Sequence, residues 1–284
     1  MFKENLLREK IVLITGGGTG LGKAMAQRFL ELGAIVVIAS RKEDVIKKSV
    51  EELSANAKDR VFGYPLDVRN YLDVQALIEK VKIDVGMINI LVNNAAGNFI
   101  SPTERLSPKA FDVITDIVLK GSINCTLALG KAWIENKISG RVLNIATTYA
   151  NSGSGYVVPS AVSKAGVVAM TKSLAVEWAK YGITMNAIAP GPFPTKGAWE
   201  RLMPPGLEKV MINRIPLKRV GKHEELTNLA AYLLADETNY INGEVITIDG
   251  GEWLQGAGEF NFLEQLPSEA WDAMEQQVRK ANTK

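Results

Sequence analysis

The residues that could do chemistry begin directly behind the first apolar run. Thr15-Gly16-Gly17-Gly18-Thr19-Gly20-Leu21-Gly22 follows residues 11–14 and leads into an amphipathic stretch ending at Leu32. Glycines 16, 20 and 22 let backbone come close to a pyrophosphate, whose charge would be met by the amides and positive end of the following helix. Gly16, Gly18, Thr19, Gly20 and Leu21 are therefore the expected dinucleotide-binding loop. In such a site the end of the second strand meets the adenosine ribose, where an acid selects NAD and a base accepts the extra phosphate of NADP. Here the chain reads Ala39-Ser40-Arg41-Lys42, with no acid, and the planar fork of Arg41 suits a phosphate. NADPH is the expected cofactor. A single cysteine, Cys125, excludes an internal disulfide, and a single histidine, His223, leaves too few ligands for the usual zinc shells, so no metal site is expected.

These residues need a scaffold, and the hydropathy pattern supplies one. Short β-branched runs at 11–14, 35–39, 61–65, 88–92, 141–146, 184–188 and 245–248 alternate with helical periodicity at 22–32, 42–55, 71–80, 108–136, 160–181 and 223–235. Repeated βαβ units of this kind build a parallel sheet covered on both faces. The expected fold is α/β: a Rossmann-type, doubly wound, seven-stranded parallel sheet in one domain spanning 1–284. Gly33 and Gly182 stand as helix stops. Residues 190–217, rich in Pro and Gly and poorly periodic, read as a lid, and 251–284 as a C-terminal extension.

With 33 Lys and Arg against 31 Asp and Glu, scattered rather than clustered, nothing resembles a nucleic-acid footprint. The N-terminus lacks the apolar core of a secretory signal and the character of a transit peptide, the last four residues are not a peroxisomal address, and no apolar run is read as membrane-spanning. A cytoplasmic protein without membrane or nucleic-acid partners is expected.

The glycine loop, the Asn93-Asn94-Ala95-Ala96-Gly97 run after the fourth strand and Pro190-Gly191 after the sixth together resemble the short-chain dehydrogenase/reductase family. The resemblance implies that Asp67 and Val68 flank the adenine, that residues 93–97 stabilise the sheet beside the cofactor, and that Pro190, Gly191, Pro192 and Phe193 touch the nicotinamide end. That family generally catalyses with Ser, Tyr and Lys, plus an Asn from the preceding helix. This chain keeps the spacing and changes the residues: Thr147 at the serine place, Ser160 at the tyrosine place, Lys164 retained, and Lys120 where the helix Asn is usual. Protonating an alkoxide needs a phenol, so simple carbonyl reduction is put in doubt. Tyr149 could supply one from another direction, with Tyr156 as competitor.

A closer similarity favours different chemistry over a dead site. Residues 94–108, 153–161 and 258–261 resemble the mitochondrial-type 2,4-dienoyl-CoA reductases, in which a displaced tyrosine is the rule. The resemblance implies NADPH-dependent reduction of an acyl-CoA thioester, an auxiliary step of unsaturated fatty acid β-oxidation, by a homotetramer. It makes Asn98 and Tyr149 an oxyanion hole for a dienolate, gives Lys164 the nicotinamide ribose, and lets Ser160 help hold the acyl chain or the hydrogen-bond network. It assigns substrate contacts to Arg69, Phe99, Ser107 and Arg201. The alternatives are a trans-2-enoyl or other acyl-thioester reductase, and a silent NADP-binding regulatory protein. Trp271, Met274 and Val278 stripe the tail, either against a neighbouring subunit or against the chain's own domain.

Overall fold

The structure, a computed structural model, describes residues 2–55, 57–196, 199, 202–203 and 205–282. Seven strands form one sheet: β1 (Ile11–Thr15), β2 (Ile35–Ser40), β3 (Val61–Pro65), β4 (Ile90–Asn93), β5 (Arg141–Ile145), β6 (Thr184–Pro190) and β7 (Val245–Ile248). Their order is β3-β2-β1-β4-β5-β6-β7, and every pairing is parallel. The chain reverses direction across the sheet between β1 and β4, and a doubly wound sheet opens its ligand crevice at such a switch, beyond the strands' carboxyl ends.

The β1 run Ile11, Val12, Leu13 and Ile14 is apolar at every position because both faces are covered. Alternate residues feed two cores. Val12 and Ile14 pack on one face with Phe29 and Leu226, from α1 (Gly20–Glu31) and α9 (His223–Leu234). Ile11 and Leu13 pack on the other with Leu77, Leu129 and Trp133, from α3 (Tyr71–Asp84) and α5 (Gly121–Asn136). The remaining helices include α2 (Glu43–Ser54), α4 (Pro108–Thr115), α6 (Tyr149–Ser152), α7 (Val158–Trp178), α8 (Glu208–Arg214), α10 (Glu252–Ala257) and α11 (Ser268–Asn282).

Four expectations are corrected. The helix after the glycine loop starts at Gly20, not Gly22, with Thr19 as extended N-cap, so the loop is shorter and its last glycine lies inside the helix. Residues 108–136 are not one regular helix: a π-turn at Asp116–Lys120 separates α4 from α5. By length and composition this stretch could cross a membrane, contrary to the sequence reading, yet 61% of its apolar window is buried in the fold. The poorly periodic region 190–217, for which no helix was expected, contains α8.

The tail also declares itself. Every residue from Trp271 to Ala281 is exposed, with Trp271 at 41%, Met274 at 44% and Val278 at 60%. The stripe therefore does not fold onto its own domain.

Candidate active site

Gly16 and Gly20 have φ of +64° and +53°, conformations that glycine adopts without strain. A Cβ on Gly22 would stand 2.6 Å from Asn94 Nδ2, so the first turn of α1 lies directly under the loop. Two contacts brace the loop from outside. Asn94 Nδ2 donates to the carbonyls of Thr15 (3.0 Å) and Gly16 (3.2 Å), and Ser49 Oγ on α2 donates to Gly18 O at 2.6 Å. The carbonyls are thereby turned toward protein, and the amide groups at the start of α1 suit an anion. Shape and donor chemistry both fit a dinucleotide pyrophosphate.

At the adenosine end Arg41 is exposed, just past β2. Asp67 is held by Arg69, whose backbone N–H and Nε both donate to Oδ1 at 3.1 and 2.9 Å. Those hydrogen bonds hold the Asp67 carboxyl below its ordinary range against the opposing cost of burial, with the charges of Arg69 and then Arg41 contributing less. Asn124, buried on α5, donates to the carbonyls of Val68 (2.9 Å) and Arg69 (3.1 Å) and so fixes this loop. Arg69 and Arg41 both stand close enough to lower the pKa of Asp67, so two guanidinium groups lie near this carboxylate.

A buried amide chain carries rigidity to the centre. Asn93 Nδ2 donates to Thr126 Oγ1 and Asn144 Oδ1, both at 2.9 Å, and Asn144 Nδ2 donates to Thr171 Oγ1 at 2.8 Å. It joins the ends of β4 and β5 to α5 and α7. Beyond β5, Tyr149 opens α6. Beyond β4, Asn98 hangs on an extended segment whose Ser101 N–H is held by the Tyr156 carbonyl at 2.9 Å.

These segments bring Asn98, Tyr149 and Ser160 together. Phe99 N–H donates to Asn98 Oδ1 at 2.9 Å, which orients the amide so that Nδ2 faces the phenol. Asn98 Nδ2 donates to Tyr149 Oη at 3.2 Å, and Tyr149 Oη lies 3.1 Å from Ser160 Oγ. Because the phenol oxygen accepts from Asn98, its own O–H is available to donate. Ser160 is buried at 2% exposure and Thr147 is buried beside the end of β5. Tyr156 is 64% exposed with φ +67°, so its ring stands in solvent and only its carbonyl serves the site.

Lys164, one turn after Ser160 on α7, is buried and its ammonium donates to Ile145 O. Burial pushes its pKa down to about 8. Lys120 plays no comparable part: it is exposed on the π-turn, 3.9 Å from Asp116, and Val118 is the fully buried residue of that turn. The extra residue of a π-turn rotates the helix beyond it, and Lys120 points outward.

The other expected residues are spread around this centre. Ser107 is the exposed N-cap of α4, accepting from Ala110 N at 3.2 Å. Phe99 is half-buried beside Asn98. Gly191 packs on Asp249, and Pro190 ends β6. Pro192 accepts from Gly221 N–H at 3.0 Å, and the Phe193 ring lies flush on Gly221. Arg201 lies outside the described residues. Sequence reasoning missed Ser49, Asn124 and Thr195; the Thr195 side chain reaches the glycine loop, 3.2 Å from where a Cβ on Gly20 would stand. None is marked by a local pattern, because each acts across the fold.

A family model described as enoyl-(acyl carrier protein) reductase matches residues 16–252. The chain belongs to the short-chain dehydrogenase/reductase family. It is an oxidoreductase, and the placement of its phenol now separates it from the usual Ser, Tyr and Lys arrangement. A probable 2,4-dienoyl-CoA reductase of Caenorhabditis elegans, described as (3E)-enoyl-CoA-producing, is 43% identical over 98% of this chain and 92% of its own length. A probable 2,4-dienoyl-CoA reductase of Bacillus subtilis, described as (2E)-enoyl-CoA-producing, is 43% identical over 87% of this chain and 98% of its own. Among solved structures, a short chain dehydrogenase from Bacillus anthracis matches with TM-score 0.77 and 45% identity, covering 86% of this chain and 96% of that one. A Burkholderia cenocepacia gluconate 5-dehydrogenase in complex with NADP and tartrate matches with TM-score 0.82 and 28% identity, covering 88% and 97%.

The lowered pKa of Lys164 gives pH dependences of definite sign. Its folded pKa is depressed from 10.5 to about 8, so the cation is present below that value and lost as pH rises through it. The expected kcat/KM profile has an alkaline limb with apparent pKa near 8; activity unchanged to pH 10 would contradict a working cation there. The same depression means the unfolded chain binds more protons between about 8 and 10.5, so this group makes folding stability rise with pH across that window.

Proposed function

We propose that this chain reduces 2,4-dienoyl-CoA thioesters to enoyl-CoA with NADPH, as an auxiliary step in degrading unsaturated fatty acids, in the cytoplasm and as a homotetramer. The observation that carries the reading is the pairing of Asn98 Nδ2 with the Tyr149 phenol at 3.2 Å, with serine in the place where the family's tyrosine usually stands. The relatives' names point to the same substrate class.

The glycine loop would hold the pyrophosphate, Arg41 the 2′-phosphate, and Lys164 the nicotinamide ribose. The cofactor, when bound, supplies a hydride. Addition of a hydride at the far end of a conjugated dienoyl thioester drives an electron pair through the double bonds onto the thioester oxygen. That oxygen needs donors. Asn98 keeps a second amide N–H after bonding Tyr149, and Tyr149 keeps its O–H, so two preset donors can converge on one oxyanion. Loss of one donor of this kind costs about 2.7 to 4 kcal/mol of barrier. The buried Lys164 charge adds a favourable field, strengthened by its dry surroundings. The dienolate carbon then takes a proton, so no phenol has to protonate an alkoxide at the Ser160 position.

Arg69 and Arg41 would meet the phosphates of coenzyme A and cofactor, and Phe99 would line the acyl path. Arg201 belongs to the same proposal. The exposed stripe of Trp271, Met274 and Val278 supports assembly, since burying it between copies removes apolar area from water; sedimentation at a monomer mass would refute the tetramer.

NADPH oxidation is expected on adding a 2,4-dienoyl-CoA, with little on simple ketones and less on a trans-2-enoyl-CoA. The reverse order would favour one of the other thioester or carbonyl reactions. In the same assay Tyr149→Phe should lower kcat by roughly 10²- to 10³-fold, while Tyr156→Phe changes it little; equal losses would mean the wrong phenol has been chosen. Arg41→Glu should shift the preference toward NADH, and an unchanged NADPH preference would remove its phosphate role.

A further inference from the structure

The chain's only histidine makes a contact that the proposed chemistry does not use. His223, the first residue of α9, brings Nε2 to 2.7 Å from the carbonyl oxygen of Pro194, 29 residues earlier. A carbonyl oxygen only accepts, so Nε2 carries the proton, as it does in the Nε2–H tautomer and in the imidazolium.

This bond is one of three fastenings on the same short segment. Gly221 N–H donates to Pro192 O at 3.0 Å, and the Phe193 ring lies so close over Gly221 that a Cβ there would overlap it. Pro192 and Pro194 lack N–H groups, so their carbonyls are the backbone handles left to hold. The residue after Pro194 then reaches the glycine loop. Thr195 sets its methyl 3.2 Å, its Cβ 3.3 Å and its hydroxyl oxygen 3.6 Å from the point where Gly20 would carry a Cβ. Residues 192–195 thus form a strap from the end of β6 to the glycine loop, with His223 gripping it one residue before its contact.

We propose that His223 is a positioning residue that holds this strap over the glycine loop and so sets how long the dinucleotide stays bound. The inference rests on the cofactor reading above. Freed from His223, the Pro194 carbonyl loses its donor, Thr195 is no longer held against Gly20, and the crevice opens more often.

The test uses the full chain with His223→Ala and His223→Gln, the glutamine amide supplying a donor of similar reach. NADPH dissociation is followed by stopped-flow fluorescence, alongside KM and kcat. His223→Ala should raise the NADPH off-rate and KM about 10-fold, the order expected from losing one partly buried hydrogen bond, with the KM for dienoyl-CoA held within about twofold. His223→Gln should return the off-rate to within about threefold of the parent. An off-rate in His223→Ala within about twofold of the parent overturns the proposal, as does failure of the glutamine variant to restore it. A second readout needs no cofactor: the single-histidine ¹⁵N spectrum at alkaline pH should show the Nε2–H tautomer, and an Nδ1–H pattern overturns the contact. A parent protein that does not bind NADPH at all overturns the cofactor reading and this one with it.

Discussion

The candidate active site is organised around the way the Tyr149 oxygen is shared. It receives an N–H from Asn98 and stands within hydrogen-bond distance of Ser160, so its position is set from two different segments at once. Asn98 follows β4 and Tyr149 itself follows β5, and both are registered by the Asn93 and Asn144 amides buried between those strands. A phenol arriving from α6 rather than α7 would otherwise have no reason to meet the cofactor side of the crevice. The sheet's switch point supplies the crevice, and the proposed chemistry turns on this shared oxygen.

On the proposed reading the arrangement stabilises charge rather than passing a proton through Ser160. A serine hydroxyl is a far weaker acid than a phenol, and the buried Lys164 beneath it is tied to a backbone carbonyl instead of to the phenol. Preset donors aimed at a developing oxyanion need no reorganisation during the reaction, which is where such donors gain their effect. The orientation of Asn98 is itself fixed locally by Phe99 N–H, so the donor is set before any substrate arrives.

Much of this was legible in the sequence, for identifiable reasons. The alternation of β-branched runs with amphipathic stretches comes from burial on both faces of the sheet, and β3 and β7 match their expected bounds. The resemblance to the 2,4-dienoyl-CoA reductases singles out Tyr149 over Tyr156; in the structure Tyr149 meets Asn98 and Ser160, whereas Tyr156 has a left-handed backbone and an exposed ring. The features that were not legible act at a distance or break a period. The π-turn at Asp116–Lys120 leaves no mark in an otherwise helical pattern, and Lys120 lies exposed on it. Asn124 clamps carbonyls 55 and 56 residues away, Ser49 braces a loop 31 residues away, and neither sits in a recognisable motif.

On the proposed reading the thioester oxygen, not a carbonyl carbon, is the focus of the site, and the position of the transferred hydrogen separates the two. With NADPH deuterated at the transferring position and a 2,4-dienoyl-CoA substrate, the label should appear at C5 of the acyl chain, with a solvent-derived hydrogen on the dienolate carbon. Label at C3, or at the carbonyl carbon, would contradict the account.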